Sequence, residues 1–124
     1  MNNELVEAIV TMVVDPANEY APGGVLVFVP GLMEITNLLE QLASNPDRLP
    51  PDKVRVFPLH STLSTAEQQR VFEPVPHGVR KVVISTNIAE TSVTIDDIVY
   101  VIDTGRWGSV PERHFFRTRK LAFP

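Results

Sequence analysis

One run of the sequence concentrates hydroxyl, amide and carboxylate side chains between two apolar segments. Residues 85–97 read STNIAETSVTIDD, preceded by KVVI and followed by IVYVID. A plain surface loop between two buried strands would need fewer residues and would not use three threonines, two serines and paired aspartates. Hydroxyls and amides donate hydrogen bonds to phosphate oxygens without needing a full charge. The run is therefore a candidate phosphate-contact surface, although serine and threonine also cap turns often, and spacing alone leaves both interpretations open.

Similar residue types follow the other predicted strands. Ligands of open parallel sheets bind at the carboxyl ends of the strands. Four runs lie at those ends: Pro30-Gly31-Leu32, Leu59-His60-Ser61-Thr62, Ser85-Thr86-Asn87 and Asp103-Thr104-Gly105. Three of the four are rich in hydroxyl or amide groups and the fourth is a glycine turn, a set that suits an anion.

Two other kinds of chemistry fit the sequence less well. A nucleophilic triad of His60, Ser61 and Asp103 is disfavoured, because neither serine at a strand end lies in a G-x-S-x-G elbow and adjacent His60 and Ser61 point in different directions. A self-sufficient metal site at Asp96 and Asp97 with Glu90 is disfavoured because the two adjacent carboxylates on a strand face opposite sides and no EF-hand spacing exists. The chain also lacks G-x-x-x-x-G-K-[ST], so it has no phosphate loop of its own.

The elements that position these residues alternate between helix and strand. Helical spacing of apolar residues predicts helices over 4–14, 31–44 and about 65–73, the last begun by a Ser64–Glu67 capping box. Short apolar runs rich in branched side chains predict the strands, at 25–30, 53–59, 81–86 and 98–103. Such alternation predicts an α/β fold with a parallel sheet covered by helices on both faces.

Composition narrows the class of protein further. The chain has 124 residues with 44% apolar side chains, which suits one compact domain, and it contains no cysteine. No apolar run approaches the ~18 residues of a membrane span, so we expect no membrane association. The net charge of −4 argues mildly against a freestanding nucleic-acid binder, but residues 103–124 hold five basic and two acidic side chains. The sequence therefore predicts a basic tail on an acidic body.

Three segments together resemble a known family. VLVFVPGLMEI, PLHSTLSTAEQQRVFEP and KVVISTNIAETSVTIDDIVYVIDTG are similar, in order and spacing, to motifs IV, IVa and V in the second RecA-like domain of DEAH-box (DExH) RNA helicases. The resemblance runs from about Glu4 to Gly105. It implies a partial RecA-like helicase C-terminal domain over 1–105, of the P-loop NTPase type but without a P-loop. Residues 106–124 are a tail atypical for the family, and the chain ends before motif VI.

The resemblance also implies roles for individual residues. Expected RNA-backbone contacts, which grip phosphates and read little sequence, are Gly31, His60, Ser61, Ser85, Thr86 and Asn87. Expected nucleotide contacts are Phe72, Thr94 and Asp96. In this family the phenylalanine stacks on the base, whereas a lone phenylalanine at the end of a short helix is more usually a core residue.

The resemblance implies ATP-dependent helicase activity on single-stranded RNA. A longer parent protein, of which this chain is one part, would carry out that activity. The parent would use ATP or another NTP with Mg²⁺, clamped against a first RecA-like domain. The chain alone is expected to be inactive and to bind no nucleotide tightly, because arginine fingers and the phosphate loop lie in missing motifs. The alternative is a non-catalytic RNA-binding or regulatory module derived from half a helicase. An intracellular location, cytoplasmic or nuclear, is expected.

Overall fold

A five-stranded sheet with the strand order β2-β3-β1-β4-β5 forms the centre of the molecule. The computed structural model describes residues 3–15, 23–60, 62–86, 97–103 and 115–117. The strands are β1 Gly24–Val29, β2 Val54–Leu59, β3 Arg80–Thr86, β4 Ile98–Asp103 and β5 Phe115–Arg117. The first four pair in parallel, which confirms the predicted parallel α/β sheet.

Three helices connect or flank the parallel strands. They are α1 Asn3–Val14, α2 Leu32–Ala43 and α3 Thr65–Gln69, which continues into the 3₁₀ turn Arg70–Phe72. The predicted helix over 65–73 is thus present but changes to 3₁₀ geometry in its last turn. Pro74 lies two residues beyond and cannot continue a helix, so a tightened terminal turn is the expected ending.

Each face of the sheet carries its own apolar core. One core packs α1 and α2 against alternate strand residues such as Val27, Ile84 and Ile102. The other packs Val71, from the 3₁₀ turn, against Leu26, Val83 and Val101. Helical elements therefore cover both faces, as predicted. All six residues of β1 are buried, as expected for the central strand of a sheet covered on both sides.

The fifth strand is an addition to the predicted fold. β5 pairs antiparallel with β4, with Phe116 opposite Val101. It lies within residues 106–124, for which the sequence analysis predicted only a basic tail. A run of three residues is too short to show strand periodicity, so the sequence could not predict β5. The strand forms because β4 offers free backbone groups along its outer side.

A close approach of backbones fixes where β4 begins. Gly24 N donates to Asp97 O at 2.6 Å, and the β1–β4 register shifts between Gly24 and Val25. Gly23 has a φ of +130°, and a Cβ there would lie 2.7 Å from the Val99 side chain. Only glycine allows both the backbone conformation and the proximity.

Arg80 joins α1 to the start of β1. Its guanidinium donates to Val13 O at 3.2 Å, near the end of α1, and to Gly23 O at 2.6 Å. Partial burial lowers the pKa of Arg80, and nearby Tyr100 opposes that shift. The contact satisfies a helix-end carbonyl and so fixes α1 on its face of the sheet.

Candidate functional site

The predicted site residues that the structure describes lie at opposite ends of the parallel strands. Val29 of β1 pairs with Thr86 of β3, and Leu59 of β2 pairs with Ser85, so the carboxyl ends of these strands lie side by side. We call this the carboxyl edge. At the other end of β3, Lys81 lies one residue before Val82, which pairs with Val25; we call this the amino edge. Lys81 and Thr86 are five steps apart along β3, a distance of about 16 Å.

Gly31 lies at the carboxyl edge as the N-cap of α2. Its backbone is extended, with φ −161° and ψ −178°, and it provides no side-chain cap. Its carbonyl accepts from Ile35 N at 3.2 Å, which begins the helix. The amides of the first turn therefore have no cap from the residue at that position, and such amides suit an anion. The RNA-backbone role of Gly31 stays a prediction.

His60 follows β2 at the same edge and lies within a local network. Its Nδ1 is 2.7 Å from Thr62 Oγ1, and its carbonyl accepts from Gln68 Nε2 at 3.4 Å. Gln68 also donates to Leu63 O at 3.1 Å. The hydrogen bonds come from residues no more than eight positions apart, so the turn after β2 is organised locally. Ser61 lies outside the described residues.

The predicted capping box is present at the start of α3. Ser64 Oγ accepts from Glu67 N at 3.2 Å, and Glu67 Oε1 accepts from Ser64 N at 3.3 Å and from Ser64 Oγ at 2.9 Å. The pKa of Glu67 is lowered, first by the Ser64 hydroxyl, then by the Ser64 amide and by the nearby charges of His60 and Arg70. The box confirms the predicted helix start and holds the turn that contains His60.

Ser85 and Thr86 end β3 but present little surface. The exposed fraction is 1% for Ser85 and 9% for Thr86, and Ser85 Oγ donates to Thr86 O at 2.9 Å. A phosphate could reach the Ser85 hydroxyl only after this hydrogen bond is exchanged. Their RNA roles stay predictions, as does that of Asn87, which lies outside the described residues.

Phe72 ends the 3₁₀ turn after α3. Its side chain is 48% exposed, whereas the preceding Val71 is fully buried. The core interpretation of Phe72 therefore does not hold, because Val71 is the residue of this turn that fills the core. An aromatic ring this accessible is available for stacking. Thr94 and Asp96, the other predicted nucleotide contacts, lie outside the described residues.

A buried lysine at the amino edge was missed by the sequence analysis. The Lys81 side chain is 1% exposed, and its Nζ lies 2.8 Å from Asp97 Oδ2 and 2.7 Å from Val71 O, to which it donates. Asp97 itself is 42% exposed. The sequence contained a sign of this burial, because Lys81 begins the KVVI run of a strand that was predicted to be buried. Nothing in the sequence spacing, however, identified its partners.

The described residues show neither a membrane span nor a metal-binding cluster. None of the helices described is both long enough and apolar enough to cross a membrane. Within the same ranges, no cluster of three or more histidine, aspartate or glutamate side chains forms a candidate metal site.

Comparison with known proteins identifies the fold family. The helicase conserved C-terminal domain family matches residues 4–119. The DExH-box NTPase HrpB of E. coli, a solved structure, superposes with a TM-score of 0.67 at 39% identity, covering 83% of this chain and 12% of that protein. The sheet and its helices therefore have the RecA-like arrangement of helicase domains.

Curated relatives carry consistent names. Human DHX57, named as an ATP-dependent RNA helicase, is 54% identical over 108 residues, covering 86% of this chain and 8% of the relative. Mouse DHX36, named as an ATP-dependent DNA/RNA helicase, is 50% identical over 97 residues, covering 78% of this chain and 9% of the relative. The chain thus spans less than a tenth of these relatives. It belongs to the helicase conserved C-terminal domain family, and its homologues there are DEAH/DExH-box helicases.

Proposed function

We propose that this chain contributes part of the second RecA-like domain of an ATP-dependent RNA helicase. In that role, the amino edge forms one wall of the nucleotide site and the carboxyl edge forms part of the RNA path. The family match and the names of the relatives support this proposal. ATP and Mg²⁺ belong to the complete helicase, where a first RecA-like domain would supply the facing wall.

The observation that carries the nucleotide role is the exposure of Phe72. Large apolar side chains with more than a third of their surface exposed are few in the described part of the chain, and Phe72 is the aromatic one. An aromatic face stacks on any base, because every base has a π-face. The residues present therefore fit a nucleotide base and predict little preference among the four bases.

The RNA role is supported by groups at the carboxyl edge. The first-turn amides of α2 after Gly31 follow β1, and the turn holding His60 follows β2, so they offer polar groups at the ends of the two strands that flank β3. Groups of this kind contact phosphates and read no base edges, so binding is expected to depend on salt and hardly on sequence. The described residues that we assign to this path are Gly31, His60, Ser85 and Thr86.

Saturation-transfer difference NMR tests the nucleotide wall. The purified 124-residue chain is mixed with millimolar ADP, and saturation is measured at the adenine H2 and H8 protons and at the ribose H1′ proton. We expect both groups to receive saturation, and Phe72→Ala to lose most of the adenine signal. Met33→Ala is the matched control, because Met33 is 71% exposed and lies in the first turn of α2, near the carboxyl edge. An unchanged adenine signal in Phe72→Ala would contradict the stacking role.

A hydrolysis assay tests whether the chain needs a partner domain. The chain carries no phosphate loop and no arginine-finger motif, and removal of such fingers costs about 10³–10⁵ in rate in related systems. We expect no RNA-stimulated ATP hydrolysis by the purified chain. Turnover that disappears in Asp96→Ala would show instead that this chain is catalytically self-sufficient.

The same purified chain distinguishes the helicase role from the role of a non-catalytic RNA-binding module. Fluorescence anisotropy with a labelled single-stranded oligonucleotide gives the RNA affinity at several salt concentrations. Salt-sensitive RNA binding together with ADP contacts at Phe72 supports the helicase role. RNA binding without any ADP signal favours the module.

A further inference from the structure

Lys81 presents an unusual combination of charge and burial. It is the second residue of β3, and its side chain is 1% exposed. Removing an ammonium group from water is expensive, and a buried ion pair is often no more stable than an apolar replacement of similar size. Stability alone is therefore a weak explanation for a lysine at this position. The identity of its partners offers a better one.

The ammonium contacts two segments that are far apart in the chain. It donates to Val71 O at 2.7 Å in the 3₁₀ turn, ten residues before it, and pairs with Asp97 Oδ2 at 2.8 Å, sixteen residues after it. Asp97 is also held through its backbone, because its carbonyl accepts from Gly24 N at 2.6 Å. Lysine carries three donors on one centre, so a single Nζ can hold two acceptors at a defined separation.

The two partners adjoin the two ends of the proposed nucleotide wall. Val71 directly precedes Phe72, the exposed aromatic, and Asp97 directly follows Asp96, the carboxylate assigned to the nucleotide. We infer that Lys81 is a positioning residue: its ammonium, buried between Val71 O and Asp97, sets the separation between the 3₁₀ turn that ends at Phe72 and the backbone at Asp97, just before β4. This inference rests on the proposed function.

The arrangement has a geometric consequence for ligand binding. In the proposed site a base stacks on Phe72 and Asp96 contacts the nucleotide. Both contacts form together only if the 3₁₀ turn and the backbone at Asp97 keep a matching distance. Misplacement of one segment by about 1 Å is enough to weaken a cooperative pair of contacts severely. An apolar side chain at position 81 would fill the space but would hold neither acceptor.

The test uses Lys81→Met in the 124-residue chain with millimolar ADP. Methionine keeps an unbranched, adaptable side chain and removes the charge and the donors. We expect the variant to retain the wild-type far-UV circular dichroism, to bind ADP roughly fivefold more weakly, and to change the ratio of adenine to ribose saturation by about twofold or more. Lys53→Met is the matched control, because Lys53 is exposed in the turn before β2 and makes neither contact; it should behave as wild type.

A second variant protects the test against misfolding of the first. Asp97→Asn retains a side chain of the same shape and an acceptor for Lys81 but removes the charge, so the fold should persist. It should shift the saturation ratio in the same direction as Lys81→Met, by a smaller amount. A wild-type ratio in Asp97→Asn, or in folded Lys81→Met, overturns the positioning role. Absence of any ADP signal in the wild-type chain overturns the proposed nucleotide wall itself, and with it this inference, so the two failures are distinguishable.

Discussion

The two edges of the sheet are held together in different ways. At the carboxyl edge, the side-chain hydrogen bonds among the described residues join positions one to eight residues apart, as in the pairs of His60 with Thr62 and Ser64 with Glu67. At the amino edge, Lys81 joins segments ten and sixteen residues away, and Asp97 bonds to Gly24 across the sheet. The proposed RNA path is therefore organised by short turns. The proposed nucleotide wall exists only when three distant segments meet.

This difference predicts that the two edges respond differently to substitutions that remove a contact. Loss of a local contact should loosen one turn and leave the rest of the domain intact. Loss of a long-range contact should affect stability and the shape of the nucleotide wall together. Substitutions at the two edges therefore test this difference.

Asp97→Ala should be the most destabilising substitution, and more so than Lys81→Met. Removing Asp97 leaves a buried ammonium without its counter-ion, which costs about 3 kcal/mol of unfolding free energy. Removing Lys81 leaves a 42% exposed carboxylate, which water can solvate, and one unbonded carbonyl at Val71, for about 1–2 kcal/mol. Urea unfolding followed by circular dichroism measures both. A larger loss of unfolding free energy in Lys81→Met than in Asp97→Ala would show that the Lys81–Asp97 ion pair does not stabilise the amino edge.

Ser64→Ala should have an intermediate effect that is confined to the carboxyl edge. The hydroxyl caps Glu67 N at the start of α3, and loss of such a cap costs about 1 kcal/mol. We expect the urea midpoint to fall while the adenine-to-ribose saturation ratio with ADP stays at its wild-type value. A changed ratio would indicate that the two edges are coupled, contrary to the comparison.

Gly31→Ala should leave stability almost unchanged and weaken RNA binding. The extended backbone at this position suits any residue, and an added Cβ would meet only the mobile end of Glu34, at 2.8 Å. We expect unfolding free energy to fall by only about 0.5 kcal/mol, because alanine is a poorer N-cap than glycine. Single-stranded RNA affinity should fall roughly fivefold, because the added methyl group lies beside the first-turn amides proposed to contact phosphate. Asn37→Ala, at an exposed position in α2, serves as the control. Equal RNA binding by both variants would remove Gly31 from the RNA path.

The smallest effect concerns acid stability at the capping box. The folded-state pKa of Glu67 lies below its ordinary value of 4.5, so its stabilising contribution is fully present above that value and is lost as pH falls through the folded pKa. Glu67→Gln keeps an acceptor for the box but has no carboxylate to protonate. We expect the variant to lose less stability than wild type between neutral pH and the acid side of 4.5. Equal losses of unfolding free energy in wild type and Glu67→Gln over this pH range, measured by urea unfolding, would exclude a contribution from the Glu67 carboxylate.

Much of the fold was predictable because it depends on local patterns. Apolar periodicity located α1, α2 and the four parallel strands, and the Ser64–Glu67 spacing located the start of α3. The short strand β5 was not predictable, because three residues carry no periodicity and its partner β4 provides the edge. The 3₁₀ ending at Phe72 depends on the nearby proline, yet the exposure of Phe72 depends on which neighbour fills the core.

The sequence by itself determined the helicase family, the residue types of the candidate site and the elements that carry them. These features depend on neighbouring residues, whose spacing is set by the geometry of one helix turn or one strand. Only the tertiary structure decided that Val71 is buried while Phe72 is exposed, and that Lys81 bonds to both Val71 and Asp97. Contacts between distant segments arise from strand order and packing, because no short-range pattern specifies which buried donor meets which acceptor.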